Sequence, residues 1–276
     1  MSTRSCLLMA LLICGCGGDD GPNPVDPAPD SSWTLVWSDE FEGTVLNADK
    51  WSVQTGDGCD QSLCGWGNNE LQWYRAANLS VSGGLLTITA RAEPAGGRAY
   101  TSARIRTAGK GDWTFGRIEV RARLPLGRGL WPAIWMLPTD GVYGGWAASG
   151  EIDIMELVGH EPARVHGTLH YGGPAPANVN SGDSYDLPSG TFADEFHVFA
   201  MEWEEGQIRW YVDGNHYQTQ TQWYSSAASF PAPFDQRFHL VMNVAVGGNW
   251  PGNPDVSTVF PQTMEVDYVR VYRSTE

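Results

Sequence analysis

The chain has 276 residues, 42% of them hydrophobic, and a formal net charge of −15 with a pI near 4.7. All-β sandwiches of roughly 200–250 residues commonly stand as one domain, so a single large core is the starting expectation. The acidic balance argues against nucleic acid or an anionic membrane surface as partner. Lys50 and Lys110 are the only lysines, so the positive charge is almost entirely guanidinium, which suits planar hydrogen-bonded sites. At least half of the thirteen tryptophans are expected in the core. Indoles outside it offer wide apolar plates with a polar edge, the shape that stacks on sugar rings.

Arg4 precedes an apolar run over residues 7–13 that is too short to span a bilayer, so residues 1–16 read as an export signal. Ile13-Cys14-Gly15-Cys16 resembles a bacterial lipoprotein box, with Cys16 as the lipidated first residue of the mature chain; Cys14 is atypical in that box. Residues 17–32 form a Gly/Asp/Pro tether with too little apolar surface to fold. Residues 33–276 remain as the folded domain. The protein is therefore expected outside the cytoplasm, released or held at the cell surface by its acyl anchor, and as a monomer. Cys59 and Cys64 are the only cysteines of the domain, and export with an even count predicts a local disulfide. So short a loop confines few unfolded conformations, so the bridge should stiffen the loop more than it stabilises the fold.

Period-two segments follow over residues 85–90, 116–124, 196–203, 208–212, 238–246 and 264–272, and Asp213-Gly214 marks a hairpin turn. Many short strands without interposed helices predict an antiparallel sandwich. Trp131 and Trp135 are four residues apart and share a strand face, since Pro132 argues against a helix there.

Residues 150–157 carry the most chemistry. Glu151, Asp153 and Glu156 place three carboxylates within six residues, interleaved with Ile152, Ile154 and Met155. Strand side chains alternate, so Glu151 and Asp153 share one face and Ile152 and Ile154 the other. Strict alternation would send Glu156 to the apolar side; a bulge at Met155 returns it to the acidic one. Like charges this close repel, and the usual relief is for one carboxyl to keep its proton. Carboxyls with pKa values pushed apart are what glycosidic bond cleavage requires. The plainer reading is a half-buried strand with a solvated acidic edge. Residues 165–171 place His166, Thr168 and His170 on one face, beside the acidic strand if the two form a hairpin. Four strand steps separate the two histidines by about 13 Å, too far to share a metal.

Glu151-Ile152-Asp153-Ile154-Met155-Glu156 resembles the signature of family 16 of the glycoside hydrolases, in the form with the extra methionine carried by its laminarinase-like members. Five further blocks resemble that family in its order: residues 37–41 (Trp-Ser-Asp-Glu-Phe), 65–72 (Gly-Trp-Gly-Asn-Asn-Glu-Leu-Gln), 100–105, 129–137 and 242–252. The resemblance implies a jelly-roll sandwich with a concave substrate cleft, onto whose open surface Glu151, Asp153 and Glu156 all face, and double displacement with retention at the anomeric carbon. Glu151 is then the nucleophile, Glu156 the general acid and later base, and Asp153 the group that holds Glu151 in its working state. A retaining pair needs carboxyls about 5–5.5 Å apart, so the strand is expected to curve as well as bulge.

By the same correspondence Trp131 and Trp135 wall the cleft, and Asn69 and Arg104 bond sugar hydroxyls. His170 stands near the acid, Asn243, Asn249 and Trp250 shape the rim, and Trp146 closes over substrate. No cofactor is expected for catalysis. A structural calcium is implied on the backbone oxygens of Glu40 and Gly84 and the carboxylate of Asp267. The expected activity is endo-β-1,3-glucanase on laminarin-like β-glucan. The alternatives are mixed-linkage glucan, agarose or carrageenan hydrolysis, transglycosylation, or a non-catalytic glucan-binding protein; the last typically lacks the carboxylates present here.

Overall fold

The computed structural model describes residues 32–275, so the export signal, Cys16 and nearly all of the tether lie outside the described residues. Two sheets face each other. The outer one runs β16 (Asn215–Gln220), β15 (Gln207–Val212), β14 (His197–Glu204), β9 (Gly116–Arg123), β18 (Gln262–Ser274), β5 (Leu85–Ala90) and β4 (Leu79–Ser82), with β1 (Trp33–Asp39) also on β18. The inner one runs β13 (Asn178–Asp186), β12 (Arg164–Gly172), β11 (Glu151–Glu156), β10 (Leu130–Pro138), β17 (Phe238–Val246), β7 (Arg104–Arg106) and β2 (Ser52–Gln54), with β8 (Asp112–Trp113) also on β17. Among the described residues the parallel exception is the small pair β3 (Gln72–Tyr74) and β6 (Tyr100–Ser102). No described helix is long and apolar enough to cross a membrane.

Alternation builds the sandwich as the sequence predicts. Leu86, Ile88, Ile118, Val120, Phe199, Met201 and Val269 of the outer sheet meet Ile105, Ile134, Ile152, Leu169, Met242 and Val244 of the inner one in a single buried cluster. Burying each such side chain contributes roughly 1.5–3 kcal/mol. Asp213 and Gly214 take φ of 50° and 75° and set Val212 opposite Asn215, the expected two-residue hairpin. β17 departs from alternation and is buried throughout, because Trp135 covers Asn243 and Thr139 covers His239 on its second face.

Cys59 and Cys64 are joined, in the loop between β2 and β3. The block at residues 37–41 serves the frame: Asp39 accepts hydrogen bonds from Trp51 Nε1 at 2.7 Å and from the Phe41 amide at 3.3 Å. Glu40 follows β1, Gly84 precedes β5, and Asp267 lies within β18 between them. Asp39 pairs with Val269, Leu86 pairs with Val266, and Asp267 is the residue bulged out of the pairing of β18 with β9. Arg121 donates to Asp267 Oδ2 at 2.6 Å and Arg270 clasps both Glu40 carboxylate oxygens. Both carboxylates at this corner are therefore paired with arginines.

Candidate active site

β11 lies between β10 and β12, and its register breaks on both flanks after Asp153. Trp135 faces Asp153 while Ile134 faces Met155; Thr168 faces Asp153 while His166 faces Glu156. One extra residue is accommodated as predicted, but β10 skips Ile154 rather than Met155. Ile152 and Ile154 are 0% and 2% exposed in the core, and Glu151 and Glu156 emerge on the other face. Asp153 shares that face yet is only 2% exposed, which corrects the expectation of three carboxyls on open surface. It lies beneath Glu151 and His170.

Each carboxyl has a nitrogen close by. Trp146 Nε1 donates to Glu151 Oε2 at 2.6 Å, and Trp131 Nε1 donates to Glu156 Oε1 at 3.0 Å. His170 Nε2 lies 3.1 Å from Asp153 Oδ2 and 3.9 Å from Glu151 Oε1. The closer contact is off the N–H direction, so it acts electrostatically rather than as a directed hydrogen bond. Ligand atoms of Glu151, Asp153 and His170 lie within 4.8 Å of one another, compact enough to hold a cation as well. His166 turns instead to the Trp250 ring at 5.0 Å, so the two histidines serve different places.

Burial pushes the Glu151 carboxyl up to about 8, with the Asp153 charge adding to it; His170, the Trp146 N–H and Arg104 pull it back. Burial also raises Asp153, against a hydrogen bond with Glu151. Glu156 is held well above the usual carboxylate range, by burial first and then by the charges of both Asp153 and Glu151. Glu156 thus faces two like charges and Glu151 one, with Arg104 on the Glu151 side. The cluster as a unit keeps a proton on Glu156 longest.

The wall beside the carboxyls is built from distant segments. Arg104 is sandwiched between Trp66 and Trp135, 4.4 and 4.7 Å from the two ring centroids, and its Nε donates to Gln54 Oε1 at 2.7 Å. Trp135 Nε1 donates to Asn243 Oδ1, and Asn69 Nδ2 to Asn249 Oδ1, both at 2.8 Å. Trp250 meets Trp131 edge-on at 5.6 Å. The structure therefore brings the expected contact residues to this face or its rim, except that Asn243 is buried beneath Trp135 rather than placed at the rim, while Glu40, Gly84 and Asp267 lie elsewhere. Trp66 and Glu70 were missed. Glu70 is buried below the wall and accepts hydrogen bonds from Gln72 at 2.6 Å and Tyr74 at 3.3 Å. Both sit in the same block as Asn69, which was the available signal. A cavity of about 350 Å³ continues the face over β12 and β13, lined by His166, Thr168, Asn180, Gly182, Asp183 and Ser184. Nothing in the polar sequence of β13 announced it.

Paired carboxyls raised by burial, on an open sandwich face walled by indoles, define a glycoside-cleaving enzyme. Residues 65–270 match the glycosyl hydrolases family 16, and the chain belongs to that family. It is 48% identical to the glucan endo-1,3-beta-glucosidase A1 of Niallia circulans over 91% of this chain and 39% of that one. It is 46% identical to a beta-glucanase of Rhodothermus marinus over 100% of this chain and 96% of that one. The laminarinase catalytic domain from Thermotoga maritima superimposes with a TM-score of 0.81 at 41% identity, covering 89% of this chain and all of that domain.

Proposed function

We propose that the protein is a retaining endo-β-1,3-glucanase acting on laminarin-like glucans. The bulged strand carries this reading, because it sets Glu151 and Glu156 on one face with an indole N–H on each carboxyl. Ionised Glu151 attacks the anomeric carbon and forms a glycosyl-enzyme, while Glu156 gives its proton to the departing oxygen. Glu156 then takes a proton from the water that releases the sugar and restores Glu151. A proton on Asp153, shared with Glu151, keeps the nucleophile charged. Asn69 and Arg104 hold sugar hydroxyls on one side of β11, with Asn243 fixing Trp135 beside them; the cavity over β12 and β13 receives the leaving half. The named activities of the relatives support the β-1,3 linkage.

Product analysis on laminarin, barley mixed-linkage glucan and agarose side by side tests the reading. Laminarin should be cut fastest and internally, and proton NMR should show the first sugar released in the β configuration. Equal rates on mixed-linkage glucan would broaden the specificity. A preference for agarose, or an α product, would overturn the substrate or the mechanism respectively.

The protein is further proposed to be exported, monomeric and acylated at Cys16, with one calcium held by the Glu40, Gly84 and Asp267 corner, away from catalysis. Native mass spectrometry of the mature protein reads all of these. A chain starting at an unmodified residue other than Cys16 removes the anchor, and no retained calcium removes the metal.

A further inference from the structure

The register break in β11 has a support that comes from the opposite sheet. Trp210 on β15 is fully buried, and its Nε1 donates to the backbone carbonyl of Asp153 at 2.9 Å, across the sandwich. Asp153 is the last residue before the break on both flanks of β11. The indole reaches this carbonyl because β12 carries Gly167 on its core side. A Cβ at Gly167 would stand 2.6 Å from Trp210 Cδ1, 2.8 Å from its Nε1 and 2.6 Å from the Tyr217 hydroxyl oxygen. Any side chain there would drive the indole off its acceptor. A buried indole N–H needs an acceptor, and a carbonyl beside a bulge needs a donor to stay where it is.

We propose that Trp210 is a positioning residue for the acid. By holding the Asp153 carbonyl it maintains the bulge that turns Glu156 onto the cleft face, and Gly167 is the clearance this requires. Without the extra residue held in place, alternation carries the Glu156 side chain toward the apolar face. Glu151 precedes the break on the regular part of the strand and keeps its place. The inference rests on Glu156 being the general acid.

Trp210→Phe keeps a ring in the core and removes the N–H. Trp203→Phe is a matched control: Trp203 lies on β14 of the same sheet, is equally buried, and its Nε1 donates to the Phe234 carbonyl at 2.9 Å rather than to the register break of β11. Both variants should lose a similar few degrees of melting temperature. Trp210→Phe should lower kcat on laminarin by about 100-fold with KM little changed, the scale of a 1 Å misplacement of a reacting group. On an oligosaccharide donor with a nitrophenolate-type leaving group, which departs without a proton, the burst rate that reports formation of the intermediate should fall by no more than about threefold. Gly167→Ala should give the same split by pushing the indole aside, and it carries the test should the Phe variant not fold. Trp203→Phe should leave both rates unchanged. Wild-type kcat on laminarin in Trp210→Phe and Gly167→Ala would make the contact purely structural and overturn the proposal. A burst rate on the activated donor that falls as far as kcat on laminarin would overturn it too, since the acid would not be the displaced group. Failure of the underlying role shows separately, as a burst rate on the activated donor that Glu156→Gln lowers as far as its kcat on laminarin.

Discussion

Glu151→Gln is expected to lower hydrolysis of every glucan substrate by about four orders of magnitude or more, because an amide cannot form the covalent intermediate. Glu156→Gln is expected to behave differently. Its loss on laminarin should be about 10²–10⁴-fold, the usual worth of a positioned acid. With a leaving group of low pKa, formation of the intermediate should be nearly spared and its breakdown should become limiting, because no base remains to activate water. The difference follows from the electrostatics. Glu156 faces the charges of Asp153 and Glu151 and keeps its proton, whereas Arg104 and the Trp146 N–H favour the anion at Glu151. Asp153→Asn should cost less than either, because Asp153 works through Glu151. Steady-state and burst kinetics on both substrate types check this, and identical responses of the two Gln variants would remove the assignment of roles.

At pH 8, Glu151→Gln is expected to melt above the wild type, and below about pH 4.5 the difference should vanish. Burial raises the Glu151 carboxyl to about 8, from 4.5 in the unfolded chain, and the proton so taken up belongs to the pair with Asp153, which leaves Glu151 charged when Asp153 carries it. Between these values the folded state holds a proton that the unfolded state has released, so its stabilising contribution is complete below 4.5 and is lost as pH rises through 8. At 1.36 kcal/mol per pKa unit the change is on the order of a few kcal/mol, reduced by the partial exposure of Glu151. Asp153, Glu156 and Glu70 are raised by burial as well and act in the same direction. His239, lowered to about 4 by burial, and His166 work against them below about 6.5, so the wild-type decline should be clearest between pH 6.5 and 8. Calorimetry across that range is the measurement. A wild-type melting temperature that is flat from 6.5 to 8, or a variant that melts lower at pH 8, would contradict the buried-carboxyl account. Such a gain on removing a catalytic group would be strain held for function.

Much of this site was legible before any coordinates. The alternation of Glu151, Ile152 and Asp153 told which side each residue takes, and the misplaced Glu156 required an extra residue in the strand. Trp131 and Trp135 declared a shared face by their spacing. The resemblance to family 16 added roles to positions such as Asn69, Arg104 and His170 that no local pattern distinguishes from surface polar residues. β13 stayed hidden because an edge strand that is polar on both faces has no hydrophobic period to read.

The sequence by itself determined the antiparallel sandwich, the acidic face of the catalytic strand and the need for a bulge, because side-chain alternation is a local property of the backbone. The tertiary structure alone decided which residue is skipped, how deeply Asp153 is covered, and that Arg104 lies between Trp66 and Trp135. Those outcomes depend on what packs over a side chain, and the covering groups come from segments far along the chain. Trp210 shows this most plainly: its contact with the Asp153 carbonyl joins opposite sheets through a gap left by a glycine on a third strand.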